Sequence, residues 1–246
     1  MAIYTGVADA NGDFNIPFST NYTGGQKVTV TAEKDSATKS IELYAPSEVA
    51  GGGAIQFSGS LVDFPLAIGD VTLGDGITGI IQHSALRRHD DTSARSIGHY
   101  ATGLTIVGDV TRINQYAFAD WRNAKFLNLP ATLSYINAWS FENWRMADFL
   151  VLPEGVETIA DSAFRYWQAA TYLDIPSTIL SIGNTSFGNW LACTEVTCRA
   201  ITPPTISSST FQNLNASCVF KVPAASVAAY QAAPNWSAFA ARIQAI

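Results

Sequence analysis

Charge is scarce in this chain: only 14% of its 246 residues are Asp, Glu, Lys or Arg, and the net charge is −6. Nucleic acid partners demand a basic face, so that class is excluded. Histidine occurs three times (His83, His89, His99), at spacings that match no zinc pattern. Cysteine also occurs three times (Cys193, Cys198, Cys218), and an odd number of thiols late in a chain is a poor disulfide framework. Cys198 falls in the phase of Leu129 and Leu152, which predicts burial as a small apolar residue. A bridge from Cys193 or Cys198 to Cys218, on an adjacent repeat, is left open. No run approaches the ~20 apolar residues that cross a bilayer, so membrane insertion is not expected. Met1–Asp13 has neither basic residues nor an apolar core, so no secretory signal is expected.

Catalytic patterns are missing as well. Gly51, Gly52 and Gly53 are not followed by the Lys-Ser/Thr of a phosphate loop, and no serine sits in a G-x-S-x-G turn. The expectation is a non-enzymatic protein with no catalytic residue, no cofactor and no metal site.

What the chain has is a period. Phe118, Phe141, Phe164 and Phe187 recur at a constant spacing of 23, and Trp121, Trp144, Trp167 and Trp190 follow each by three. Ile113, Ile136, Ile159 and Ile182 lead by five, and Pro130, Pro153 and Pro176 trail by twelve. A period in the twenties predicts a solenoid, whose coils each cover their neighbour's apolar face. Weaker copies precede the ladder: Leu104–Ile113 aligns with Leu150–Ile159, and Thr72–Ile80 with Val151–Ile159. Ile80 and Ile113 stand ten positions further apart than the period, and the surplus lies in the polar segment Arg87–His99, read as an extruded loop.

The first 46 residues read differently. Alternating runs at Ala2–Ala8, Asp13–Ser19, Lys27–Lys34 and Lys39–Pro46 predict about four antiparallel strands, with Asn11-Gly12 as a hairpin turn. The domain reading is a small β module over residues 1–50, a Gly-rich linker at 51–59 and the solenoid with its caps at 60–246. Ile55–Ile68 is expected to cap the first coil, since a terminal coil otherwise exposes half a core.

The repeat I-x₃-A/S-F-x₂-W-x₅-L-x-L-P-x₂-V/I-x₂-I resembles the BspA-like (Treponema-type) leucine-rich repeat. That family usually has Cys where Trp121, Trp144, Trp167 and Trp190 stand. Where it usually has Leu, this chain has Ala124, Ala147, Ala170 and Cys193. Large residues at one site and small ones at the other suggest a core repacked at constant volume. The segment Phe220–Ile246 is similar to the closing stretch of such proteins. The resemblance covers about residues 60–246 and implies a parallel solenoid, expected to be right-handed, and a surface-exposed binding role. Ala8–Ala32 is similar to part of a bacterial immunoglobulin-like repeat, at about half the length of a whole domain.

Strand alternation places Leu127, Leu129, Leu150, Leu152, Leu173 and Ile175 inward. It turns Phe126, Phe149, Tyr172, Glu195 and Val219 outward in one column, and Asn128, Val151, Asp174, Thr197 and Lys221 in the next. Phe126, Phe149 and Tyr172 are expected to stack as a ladder, which either stabilises the sheet or forms a binding strip. The Trp column is expected to be core.

Two surfaces are candidates for binding: the strip (Phe126, Phe149, Tyr172, Asn128, Asp174) and the loop (Arg87, Arg88, His89, Asp90, Asp91). The start of the chain and its immunoglobulin-like stretch are similar to phage tail-fibre and tail-tip proteins. That likeness implies a tail-associated protein of the virion, assembled in the host cytoplasm beside other tail proteins. Its target would be a host-surface glycan or an outer-membrane protein. The repeat family itself implies the alternative, a bacterial cell-surface adhesin. Homo-oligomerisation through residues 1–46 is a further expectation.

Overall fold

Each repeat makes two short strands, and both kinds line up in parallel from coil to coil. The computed structural model describes residues 6–7, 14–17, 27–34, 37–44, 54–57, 68–74, 78–81 and 100–246. The first kind of strand comprises β5 (Gly69–Gly74), β7 (Ala101–Ile106), β9 (Phe126–Asn128), β11 (Phe149–Val151), β13 (Tyr172–Ile175), β15 (Glu195–Cys198) and β17 (Val219–Val222). These form two parallel runs, β5-β7-β9 and β11-β13-β15-β17, and the Asp148 amide donates to the Lys125 carbonyl at 2.9 Å where the runs meet. The second kind is β6 (Thr78–Ile81), β8 (Asp109–Ile113), β10 (Tyr135–Ile136), β12 (Thr158–Ile159), β14 (Ser181–Ile182) and β16 (Thr205–Ile206), six strands in one parallel sheet. Repeated parallel strands with little helix fit a leucine-rich-repeat-type solenoid.

A third side of the coil has no strand among the described residues. Its turns carry a positive φ at Tyr116, Trp139, Ser162 and Thr185, and again at Asp120, Asn143, Tyr166, Asn189 and Asn213. Asn and Asp tolerate that left-handed region best, which explains most of the second set. Backbone amides there reach the next coil: Phe118 donates to the Ser140 carbonyl at 2.8 Å, Phe141 to Ala163 at 2.9 Å and Phe164 to Ser186 at 2.9 Å. Neighbouring coils are thus hydrogen-bonded on three sides.

Inside, the Phe rings at 118, 141, 164, 187 and 211 stack with centroids 5.3–5.7 Å apart. The indoles of Trp121, Trp144, Trp167 and Trp190 stack at 5.5–5.6 Å and are fully buried. Within a coil Phe and Trp meet edge to face, an arrangement that adds roughly 0.5–1.5 kcal/mol per pair beyond burial. From the second indole on, the N–H is satisfied by the coil before: Trp144 Nε1 donates to the Phe118 carbonyl, Trp167 to Phe141 and Trp190 to Phe164, all at 2.8 Å. Trp121, which starts the column, has no such partner among the described residues. The Ala partners at 124, 147 and 170 are fully buried too. The Trp column is core.

One register differs from the sequence reading. Ile81, not Ile80, pairs with Ile113, and the register shifts once between Gly79 and Ile80, where β8 carries the extra residue, Thr111. Gly79 has φ +74°, which permits the kink.

At the C-terminal end, α1 (Val227–Ala232) and a 3₁₀ turn (Trp236–Arg242) lead into β18 (Ile243–Ala245), which pairs with β17 in parallel. Trp236 and Phe239 close over Phe211 and Phe220, and Trp236 Nε1 donates to the Pro204 carbonyl at 2.8 Å. Tyr230 Oη lies 2.8 Å from the Ala200 carbonyl and 3.2 Å from Cys198 Sγ, so the predicted burial of Cys198 holds.

Toward the N-terminus, β1 (Phe14–Pro17) pairs antiparallel with β4 (Ala54–Phe57), which pairs antiparallel with β5. β2 (Lys27–Lys34) and β3 (Ala37–Tyr44) form a hairpin in continuous register. Asn11-Gly12, the strand expected at Ala2–Ala8 apart from residues 6–7, and Gly51–Gly53 lie outside the described residues.

Candidate functional site

Strand register assembles the outward face as the alternation predicts. Phe149, Tyr172, Glu195 and Val219 are direct neighbours in one column, and Val151, Asp174, Thr197 and Lys221 in the next. Gly103 pairs with Phe126, and Thr105 with Asn128.

The three aromatic rings do not stack as a ladder. Phe126 lies over Gly103 on the preceding strand, where any Cβ would collide with its ring. Tyr172 leans the opposite way: its hydroxyl is 3.3 Å from Asp174 Oδ2 and 3.4 Å from Thr197 Oγ1. Burial, the largest influence, raises the Tyr172 pKa, so the phenol stays a neutral donor. Phe149 stands between them, 49% exposed, beside Val151 at 43%.

Asp174 is also not the open carboxylate that alternation suggests, being only 6% exposed. Arg199 Nη2 donates to its Oδ2, and Arg199 Nη1 reaches Glu154 Oε1 at 3.5 Å, so the guanidinium bridges three successive coils. Asp174 Oδ1 is buried without a hydrogen-bond partner. An unmatched buried acceptor is costly and rare. Asn128 is exposed and turned away, its Nδ2 donating to Thr105 Oγ1 at 3.0 Å. Two strand spacings, roughly 10 Å, separate Asn128 from Asp174. The structure therefore joins Phe149, Tyr172 and Asp174, while Phe126 and Asn128 belong to the β7 side.

Arg199 and Glu154 are site neighbours that sequence reasoning passed over. A signal existed: Pro130, Pro153 and Pro176 keep the period of the repeat, and the next position in that column is Arg199. The loop residues Arg87, Arg88, His89, Asp90 and Asp91, with His83 and His99, lie outside the described residues.

The three cysteines are free and buried. Cys193 and Cys218 sit on adjacent coils with sulfurs 3.8 Å apart, and the contact with Cys218, then burial, pushes the Cys193 thiol up. Among the described residues no group of three or more His, Cys, Asp or Glu is placed to hold a metal ion. No helix among them is long and apolar enough to cross a membrane.

Residues 98–218 match the BspA type leucine rich repeat region in six copies, just under half of the chain. That match fits a surface or binding repeat protein. No curated protein matches the chain.

Proposed function

We propose, on the premise of a BspA-type repeat scaffold, that this chain is a non-catalytic binding protein displaying the outward face of β9, β11, β13 and β15 to a cell-surface partner. The observation that carries the reading is exposed apolar area on an ordered sheet: Phe149 and Val151 stand 49% and 43% open beside a polar cluster. Rigid sheets that present aromatic and polar groups together are suited to recognition. The partner is a host-surface glycan or an outer-membrane protein, and the loop with Arg87 and Arg88 is the second candidate contact.

The setting proposed is a phage tail that takes part in host recognition, supported by the likeness of the N-terminal stretch to tail proteins. A second reading, a bacterial surface adhesin, is equally compatible with the repeat match. Immunogold labelling of purified virions against washed cells separates the two. For the binding surface, the test is whole-cell binding by the parent, a deletion of residues 87–99 and a Phe126/Phe149/Tyr172→Ser triple variant that keeps its melt. Loss in the triple variant is the expected result. Parental binding by both altered proteins would remove both surfaces.

A further inference from the structure

We propose that the face shared by β11, β13 and β15 is a saccharide subsite, in which a neutral pyranose lies on Phe149 and Val151 and donates a hydroxyl hydrogen bond to Asp174. The proposal deepens the binding reading and rests on it. Strand register builds the site as a grid of three adjacent strands: Phe149 and Val151, then Tyr172 and Asp174, then Glu195 and Thr197. The apolar pair is open to solvent, and the polar strand beside it lies about 4.8 Å away. A pyranose is matched to that step, because it carries an apolar C–H face and, one ring edge away, a row of hydroxyls.

Asp174 supplies the unmet demand. Arg199 Nη2 and Tyr172 Oη occupy Oδ2, whereas Oδ1 is buried and unpartnered. A carboxylate oxygen can only accept, so what is missing is a donor. Because Oδ1 is buried, a ligand hydroxyl meets it only after a turn about the terminal torsion of Asp, which is broad. Arg199, 45% exposed and held on its other side by Glu154, can follow that turn. Charge narrows the ligand further. Asp174, Glu195 and Glu154 set three carboxylates against the one guanidinium of Arg199, so an acidic sugar is repelled and a neutral one is not.

Isothermal titration of the full chain tests this with tetrasaccharides of glucose, galactose, mannose and N-acetylglucosamine. A sialic acid tetramer and tetralysine serve as the charged probes. At least one neutral tetrasaccharide is expected to bind with a dissociation constant of about 1 mM or tighter. The sialic acid tetramer and tetralysine are expected not to bind. Asp174→Asn is expected to weaken binding about tenfold, because it turns a pure acceptor into a mixed group. Phe149→Ser alters an exposed side chain, keeps the fold and is expected to weaken binding by a similar factor.

Silence from all four neutral probes, undiminished binding by Phe149→Ser, or binding of tetralysine alone overturns the proposal. Binding of whole cells through the strip with no competition from the sugars overturns the saccharide assignment and leaves the binding reading standing. Strip variants that bind cells like the parent, with sugar titration still dependent on Phe149, overturn the reading instead.

Discussion

The interior of the solenoid and its outward sheet face are built from the same repeat, yet they obey opposite rules. Inside, Phe follows Phe and Trp follows Trp, each ring lying nearly flat on the last with interplanar angles of 2–14°. Outside, the same column runs Phe126, Phe149, Tyr172, Glu195, Val219, and only its first residue recurs. The interior repeats because every coil must present its neighbour with the same shape, and close packing punishes any deviation. Solvent makes no such demand on the face. Variation there is free to serve contact with something else.

The largest effect expected from that contrast is in the core. Trp144→Ala removes two stacking contacts and leaves the Phe118 carbonyl without its donor, and should cost about 3–5 kcal/mol in a denaturant melt. Near-parental stability would erase the distinction between the two regions.

A pH experiment sharpens it at the C-terminal end. Burial, the largest influence, holds the Cys198 thiol above its ordinary value of 9.0 and the Tyr230 phenol above 10.0. The unfolded chain releases these protons first, so it binds fewer than the native chain once pH passes 9. The stability both groups contribute is complete below that pH and is lost as pH rises. Each should add a slope of about −1.4 kcal/mol per pH unit. Cys198→Ala should flatten the fall that begins near pH 9, and Tyr230→Phe the part that begins near pH 10. An unchanged profile in both variants would count against their burial.

Smaller effects belong to the face. Arg199→Met leaves Asp174 Oδ2 with Tyr172 alone and should cost about 1–2 kcal/mol, a modest loss because the guanidinium is half open to water. Phe149→Ser should change stability by less than about 0.5 kcal/mol, the usual range for a surface substitution. A loss as large as that of Arg199→Met would instead make the strip a structural element.

How legible all this was in the sequence follows the same division. The Phe and Trp columns could be read directly, because a repeated demand leaves a repeated letter. Burial of Asp174 could not, because it depends on Arg199, which reaches back to it from the following coil. The aromatic ladder failed for a related reason: alternation says which face a side chain takes, and not which neighbour it leans on. Gly103 on one side and the Tyr172 hydroxyl on the other pull the rings apart. The slip from Ile80 to Ile81 arises because the six steps from Thr72 to Thr78 stand opposite the four from Thr105 to Asp109, a surplus of which the bulge at Thr111 recovers one, and a period cannot announce it.

The indole-to-carbonyl bonds between coils carry a mechanical consequence. Trp144, Trp167 and Trp190 are each anchored on the coil before, and strands and turns add further bonds between the same two coils. A pull on the chain ends therefore loads the coils in series. Such an array yields by shedding end coils one at a time. Each release frees one repeat, about 80 Å of extended chain, while the coils still stacked keep their grip.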